Sequence, residues 1–407
     1  MARQLRKSHA PKSERSWQGH PFFSGGFRPF FLTSALFSIL AVGLWLAELS
    51  GLSALNAPLP ALDWHRHEML FGYGSGVIAG FLFTAVPNWT GRLPVVGWPL
   101  IWFYILWLAG RASMLFATHI PYEIAALVDA VFLPILSIVI GREILVGKNW
   151  RNIKVLITVS VFGLANIWFH LQMVLEGSAA EATRLGFAAV LVLLMIIGGR
   201  IIPSFTRNWL ARKNPPGKLP VPFNRYDNAL ERASAVVLLC WVFVDDIPAG
   251  GLKVLGLVFA ALGMAHVARI WRWVGHRTVS NALLAVLHIF YLFVPAGFFV
   301  LAVGMLWEDY GIIIGALHVF GIGAMGGLTL AVMMRASLGH TGRKLATDRV
   351  MEAAMILLCF SVALRVIGAI WPEVDWAVTA SGVSWMIGFG LFCLRIGPFL
   401  LLPRPSG

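Results

Sequence analysis

Runs of about twenty apolar residues recur through the whole chain, and they constrain its fold more than any other feature. A helix that crosses a bilayer needs ~20 mostly apolar residues and must satisfy its backbone polar groups within the segment. Twelve such runs occur, near residues 29–50, 65–87, 98–117, 122–141, 155–175, 182–203, 232–247, 250–270, 281–305, 311–334, 350–371 and 376–400. Hydrophobic residues make up 58% of the 407 and charged residues 13%, about half the ~25% usual in a soluble domain. The excess is not confined to one part of the chain. That excludes a disordered chain, a disulfide scaffold and a soluble enzyme with a membrane tail. The expectation is an all-α, polytopic integral membrane protein with a basic tail over 1–21 and one twelve-helix membrane domain over 22–407. No A-x-A cleavage pattern follows the first run, so it reads as an uncleaved first helix rather than a signal peptide.

Charge supplies the orientation. With these runs as spans, all but five of the 32 Lys and Arg fall in the N-terminal head, in every second connection or in the C-terminal tail. The five others are Arg66, Arg111, Arg184, Lys253 and Arg365. Asp245-Asp246, Glu308-Asp309, Glu373 and Asp375 lean to the opposite side. The positive-inside rule then puts both termini in the cytoplasm. The net charge of +13 follows from that topology and gives no reason to expect a nucleic-acid partner.

Several chemistries lack their residues. Cys240, Cys359 and Cys393 are far apart in apolar runs, with no CxxC or CxxCH, so thiolate iron–sulfur, zinc-ribbon and covalent c-type haem sites are unsupported. No Walker A loop, GxSxG elbow or glycine-rich dinucleotide fingerprint occurs, which leaves nucleotide-driven transport and NAD chemistry without support.

Ionisable residues inside a bilayer are costly and mark function by default. On this topology the outer half holds His65, His67 and Glu68 at the start of helix 2, Arg111 in helix 3 and Asp129 in helix 4. His170 in helix 5, His318 in helix 10 and Arg365 in helix 11 complete it. His266, His276, His288 and His340 fall on the inner side. His318 shares a face with Gly311, Gly315 and Met325, and His170 with Gly163 and Asn166. An imidazole over a glycine-lined strip suits a flat macrocycle, since the imidazole ligates iron and the missing side chains leave room for the ring. Close helix packing explains such strips equally well, and explains the Gly72, Gly76 and Gly80 row better. His65 and His67 point about 200° apart in a regular helix and converge on one metal only if the helix starts between them, with Asp63 as N-cap. Imidazole pairs suit copper, iron or zinc. Arg111 and Asp129 read as an ion pair between neighbouring helices; alternatively Arg111 or Arg365 holds haem propionates.

Five blocks look familiar together: FFSGGFRPFF near the start, HRHEMLFGYGSGVIAGFLFTAVPNWTGR from His65, GRIIPSFTRN from Gly199, LHIFYLFVPAG from Leu287 and ALHVFGIGAMGGLTLAVMMRASLGHTGR from Ala316. In this order they resemble the NnrS family of membrane proteins. The resemblance implies a twelve-helix bacterial inner-membrane protein with non-covalent b-type haem and copper, acting in nitric oxide metabolism or resistance during denitrification and nitrosative stress. It does not say which histidine holds which metal. His65, His67, His288, His318 and His340 lie inside these blocks; His170 does not. His9, His20, His119, His266 and His276 have neither block nor glycine face behind them.

The resulting expectation is haem near His170, His318 and His288, with Arg111 on the propionates, copper at His65 and His67, and Glu68 and Asp129 as proton-bearing catalytic groups. Nitric oxide would be reduced or otherwise detoxified there, with electrons from a donor that the residues do not identify. Two alternatives use the same chain: a haem/copper protein that binds nitric oxide without turnover, and a metal or small-molecule transporter. No convincing internal repeat supports the transporter.

Overall fold

A computed structural model describes residues 17–52, 55, 57–116, 120–213, 217–248 and 250–405. The expected basic tail therefore lies, up to residue 16, outside the described residues. Twelve long helices follow a short turn at Pro21–Phe23, and no strand occurs among the described residues. They are α1 (Phe27–Leu49), α2 (Ala61–Thr90), α3 (Trp98–Phe116), α4 (Tyr122–Val146), α5 (Trp150–Glu176) and α6 (Ala180–Lys213). Then come α7 (Arg225–Val242), α8 (Gly251–Trp271), α9 (Ala282–Trp307), α10 (Tyr310–His340), α11 (Arg349–Ile370) and α12 (Trp376–Leu401).

Eleven of these, all but α7, are long and apolar enough to cross a membrane. The helix expected over 232–247 begins earlier, at a capping box in which Asn224 and Asp227 bond each other's backbone N–H groups, and ends at Val242. Its first half carries Arg225, Asp227, Glu231 and Arg232, and this dilutes its apolar character. The charges have a partner inside the protein. Asp227 Oδ1 and Glu231 Oε1 each accept from the guanidinium of Arg269 in α8 at 2.9 Å, and Tyr291 Oη lies 3.1 Å from the same group. Arg269 is fully buried. Asp227 also meets Arg272, and Glu231 also meets Lys154, so losing Arg269 costs part of the roughly 3–5 kcal/mol of a fully broken buried pair. Arg269→Met should therefore lower the thermal unfolding temperature in detergent.

The chain enters and leaves the bundle at one end. Arg28, buried at the start of α1, donates to the carbonyls of Leu400 and Leu402 at 3.0 and 2.8 Å, at the end of α12. Two helices hold the centre. α2 packs against α1, α3, α4 and α6, and α10 against α6, α9, α11 and α12. Both change pitch midway: α2 is a π-helix over Glu68–Tyr73 and α10 over Val319–Gly327, each segment starting directly after a histidine. Such π segments are rare and often mark functional sites, because the wider turn re-aims the side chains beside it. α4 has a comparable break at Val131. Pro134, three residues on, has no N–H to give to the carbonyl of Ala130.

Candidate functional site

Five buried polar side chains from four helices meet beside the π segment of α2. His67 and Glu68 come from α2, Arg111 from α3, Asp129 from α4 and His170 from α5; Asn166, one turn before His170, joins them. Arg111 spans the two carboxylates, 2.5 Å from Glu68 Oε2 and in contact with Asp129 Oδ1. Gly72 makes room for it, since a Cβ there would collide with the guanidinium and with Glu68 Oε2. The other carboxylate oxygens face the imidazoles. His67 Nδ1 lies 2.7 Å from Glu68 Oε1, and His170 Nε2 lies 3.0 Å from Asp129 Oδ2. His67 Nε2 lies 3.2 Å from that same Asp129 oxygen and 3.0 Å from Asn166 Oδ1. Tyr122 closes the far side, its hydroxyl 2.8 Å from His170 Nδ1.

Donor and acceptor arithmetic shows what this cluster lacks. Asn166 Nδ2 donates to Asp129 Oδ2 at 2.8 Å, so its oxygen is an acceptor. Glu68 and Asp129 are acceptors when ionised. Both nitrogens of His67 therefore face acceptors, while a neutral imidazole has only one N–H. Two carboxylates against one guanidinium also leave one net negative charge in a buried place, where unpaired charge is costly. One added positive charge on the Nε2 side of His67 resolves both, either as a proton or as a metal ion. The donor set suits a metal. His67, Asp129 and His170 offer one ligand atom each, all within 4.8 Å of one another. The Nδ1 atoms of both histidines are held by Glu68 and Tyr122, the outer-shell arrangement that orients metal-bound imidazoles.

The second feature is a cavity of about 360 Å³ between α1, α2, α6, α10, α11 and α12, within the roughly 300–1,000 Å³ of ligand pockets. Its walls are mostly apolar, with four basic or imidazole groups among them: His65, Arg66, His318 and Arg365. His65 stacks on Trp45 with ring centroids 4.7 Å apart and planes at 17°, and its buried Nδ1 has no partner among the described residues. His318 Nδ1 lies 2.8 Å from the carbonyl of Ile314, which can only accept; that nitrogen carries the proton and Nε2 keeps its lone pair. An apolar cavity with imidazoles and two arginines suits a non-covalent haem, so the residues present fit that group.

The expected residues thus fall into two sites rather than one. His65 and His67 do not converge on a single ion. α2 runs unbroken through both, its N-cap is Pro60, and Asp63 bonds Arg66 at 3.2 Å instead of capping. His65 joins His318 in the cavity, and His67 joins His170 in the cluster. The strip beside His170 is filled by packing, because Gly163 abuts Leu133 and Pro134. Arg111 pairs with both Asp129 and Glu68, whereas Arg365 lines the cavity. His288 stands apart, its Nε2 2.8 Å from Thr206 Oγ1. His340 packs on Phe27, His266 lies 3.0 Å from Ser234 Oγ, His276 lies beside Trp271, and His20 caps the Pro21–Phe23 turn. His9 and His119 lie outside the described residues. Tyr122 carries no charge to mark it in the sequence; its signal is the seven-residue spacing to Asp129, which puts both on one face of α4.

The fold and the two sites define a class: a polytopic α-helical membrane protein with a buried histidine–carboxylate centre compatible with metal binding. Residues 21–404, nearly the whole chain, match the family described as NnrS protein, and the chain belongs to the NnrS family. Among curated proteins no match is found.

Proposed function

We propose that the protein is a haem- and copper-containing membrane protein that reduces or otherwise detoxifies nitric oxide in the bacterial inner membrane. The observation that carries this reading is the division of the histidines: a large apolar slot takes two, and a small buried cluster short of one positive charge takes two more. His65 and His318 would hold the haem, with Arg365 and Arg66 facing its propionates. His67, His170 and Asp129 would hold the copper, and copper(I) brings the charge of Glu68, Asp129 and Arg111 to zero. When bound, haem and copper would supply the one-electron redox centres for nitric oxide. Nitric oxide partitions into the bilayer, so a cavity walled by apolar side chains meets it without an aqueous channel. Converting two nitric oxide molecules to nitrous oxide and water takes up two electrons and two protons. Glu68 and Asp129 are the buried carboxylates placed to pass those protons.

Metal content with a reduced-minus-oxidised spectrum of the purified protein tests the binding half. The expected result is b-type haem with copper, and a protein without either would point to the transporter reading. Anaerobic consumption of nitric oxide with an added reductant tests the chemistry. No turnover above a haem-free control would leave a binding protein only. His67→Ala and Asp129→Asn should each lose copper and keep haem by elemental analysis; loss of iron from His67→Ala would undo the assignment.

All twelve helices are proposed to span, α7 included, with both termini in the cytoplasm. A periplasmic reporter fused after Glu308 should be active and one after Arg212 inactive, and the reverse would refute the orientation.

A further inference from the structure

A second, smaller cavity of about 70 Å³ lies between α1, α2, α6, α9 and α10. Four helices line both cavities, and three of them do so in the same order, α1 running the other way from Phe31 to Val42 and Trp45. Along α2, Met69 and Tyr73 face the large cavity, and Val77 and Phe81 face the small one. Along α10 the order is Ile322 and Met325, then Thr329 and Val332; along α6 it is Thr183 and Phe187, then Leu194 and Ile197. The two spaces are therefore stacked along the bundle. Tyr73 and Thr329 stand at the partition, their hydroxyls 2.5 Å apart.

The small cavity has no use for water. Its only side-chain polar group is the Thr329 hydroxyl, which lies 2.7 Å from the Met325 carbonyl and 2.9 Å from that of Gly326. It thus donates to the backbone and accepts from Tyr73. A buried water needs two to four polar partners, and apolar cavities stay dry and take up xenon or small apolar molecules. At about 70 Å³ the space is sized for small molecules, and its apolar walls give a water nothing to bond.

The geometry points to a dry binding site for a small apolar gas, stacked directly against the larger cavity and separated from it by the Tyr73–Thr329 pair. That the gas is nitric oxide rests on the function proposed above; the site itself does not. Xenon is the probe. Crystals of the full-length protein under xenon pressure should show xenon in the small cavity, and the Leu193→Phe variant, whose ring would fill it, should lose that xenon with its haem spectrum unchanged. Ordered water or a lipid chain in the wild-type cavity, or no xenon there, would overturn the site; this wild-type result stands even if Leu193→Phe does not fold. Flash photolysis of the nitric oxide adduct separates the two layers. Xenon should reduce the prompt rebinding phase. Xenon binding without any effect on rebinding would keep the gas site and remove nitric oxide as its occupant.

Discussion

His318→Ala and His65→Ala should each yield a folded, membrane-inserted protein with at least roughly tenfold less haem than the wild type. Removing an outer-shell partner alone typically costs 10–100-fold in metal affinity, and these substitutions remove the imidazole itself. The cavity walls are mostly apolar, so few groups there could replace it. Haem-to-protein ratios from pyridine haemochrome spectra read the loss directly. His170→Ala is the informative control. It leaves the cavity intact and should keep full haem while losing copper. Full haem in both His318→Ala and His65→Ala would mean that the cavity holds something else.

Arg111→Met should strongly destabilise the protein. The guanidinium spans Glu68 and Asp129, both fully or nearly fully buried. Without it two carboxylates share a dry space, and the cost of breaking such a buried pair is about 3–5 kcal/mol. Thermal unfolding in detergent should show a large drop, and Glu68→Gln with Asp129→Asn added to Arg111→Met should reverse much of it. Reversal of stability without return of copper would separate the folding role of Arg111 from the ligand role of Asp129. An unchanged unfolding temperature for Arg111→Met alone would contradict the charge balance described here.

Much of the site was legible as residue types. Glu68, Arg111, Asp129 and His170 stand out because an apolar span exposes any ionisable group it carries, and the bilayer makes each one expensive. Their grouping was less legible. Spacing along one helix shows which side chains share its face, and so His65 and His67 were seen to diverge in a regular helix. It does not show which faces of other helices lie opposite. Gly72 reads as packing in a glycine row, yet its missing side chain is what admits Arg111 from α3. The π segments were not visible at all, because a wider turn leaves no compositional mark in an apolar stretch.

The sequence by itself determined the class of the molecule. Apolar runs of spanning length, alternating basic connections and the five ordered blocks suffice for an all-helical membrane protein of this family, because these follow from the bilayer's thickness, its charge asymmetry and local pattern. α7 shows where that reasoning thins, since its charges are paired internally with Arg269 and no count of hydropathy sees the partner. Only the tertiary structure decided that a single turn of α2 presents its two histidines to two different places. His65 belongs with His318, some 250 residues away along the chain, and His67 belongs with Asp129 and His170, because helices from distant parts of the sequence pack on opposite sides of α2. Which side chains meet is set by helix packing over the whole bundle, and that information is carried by no single segment.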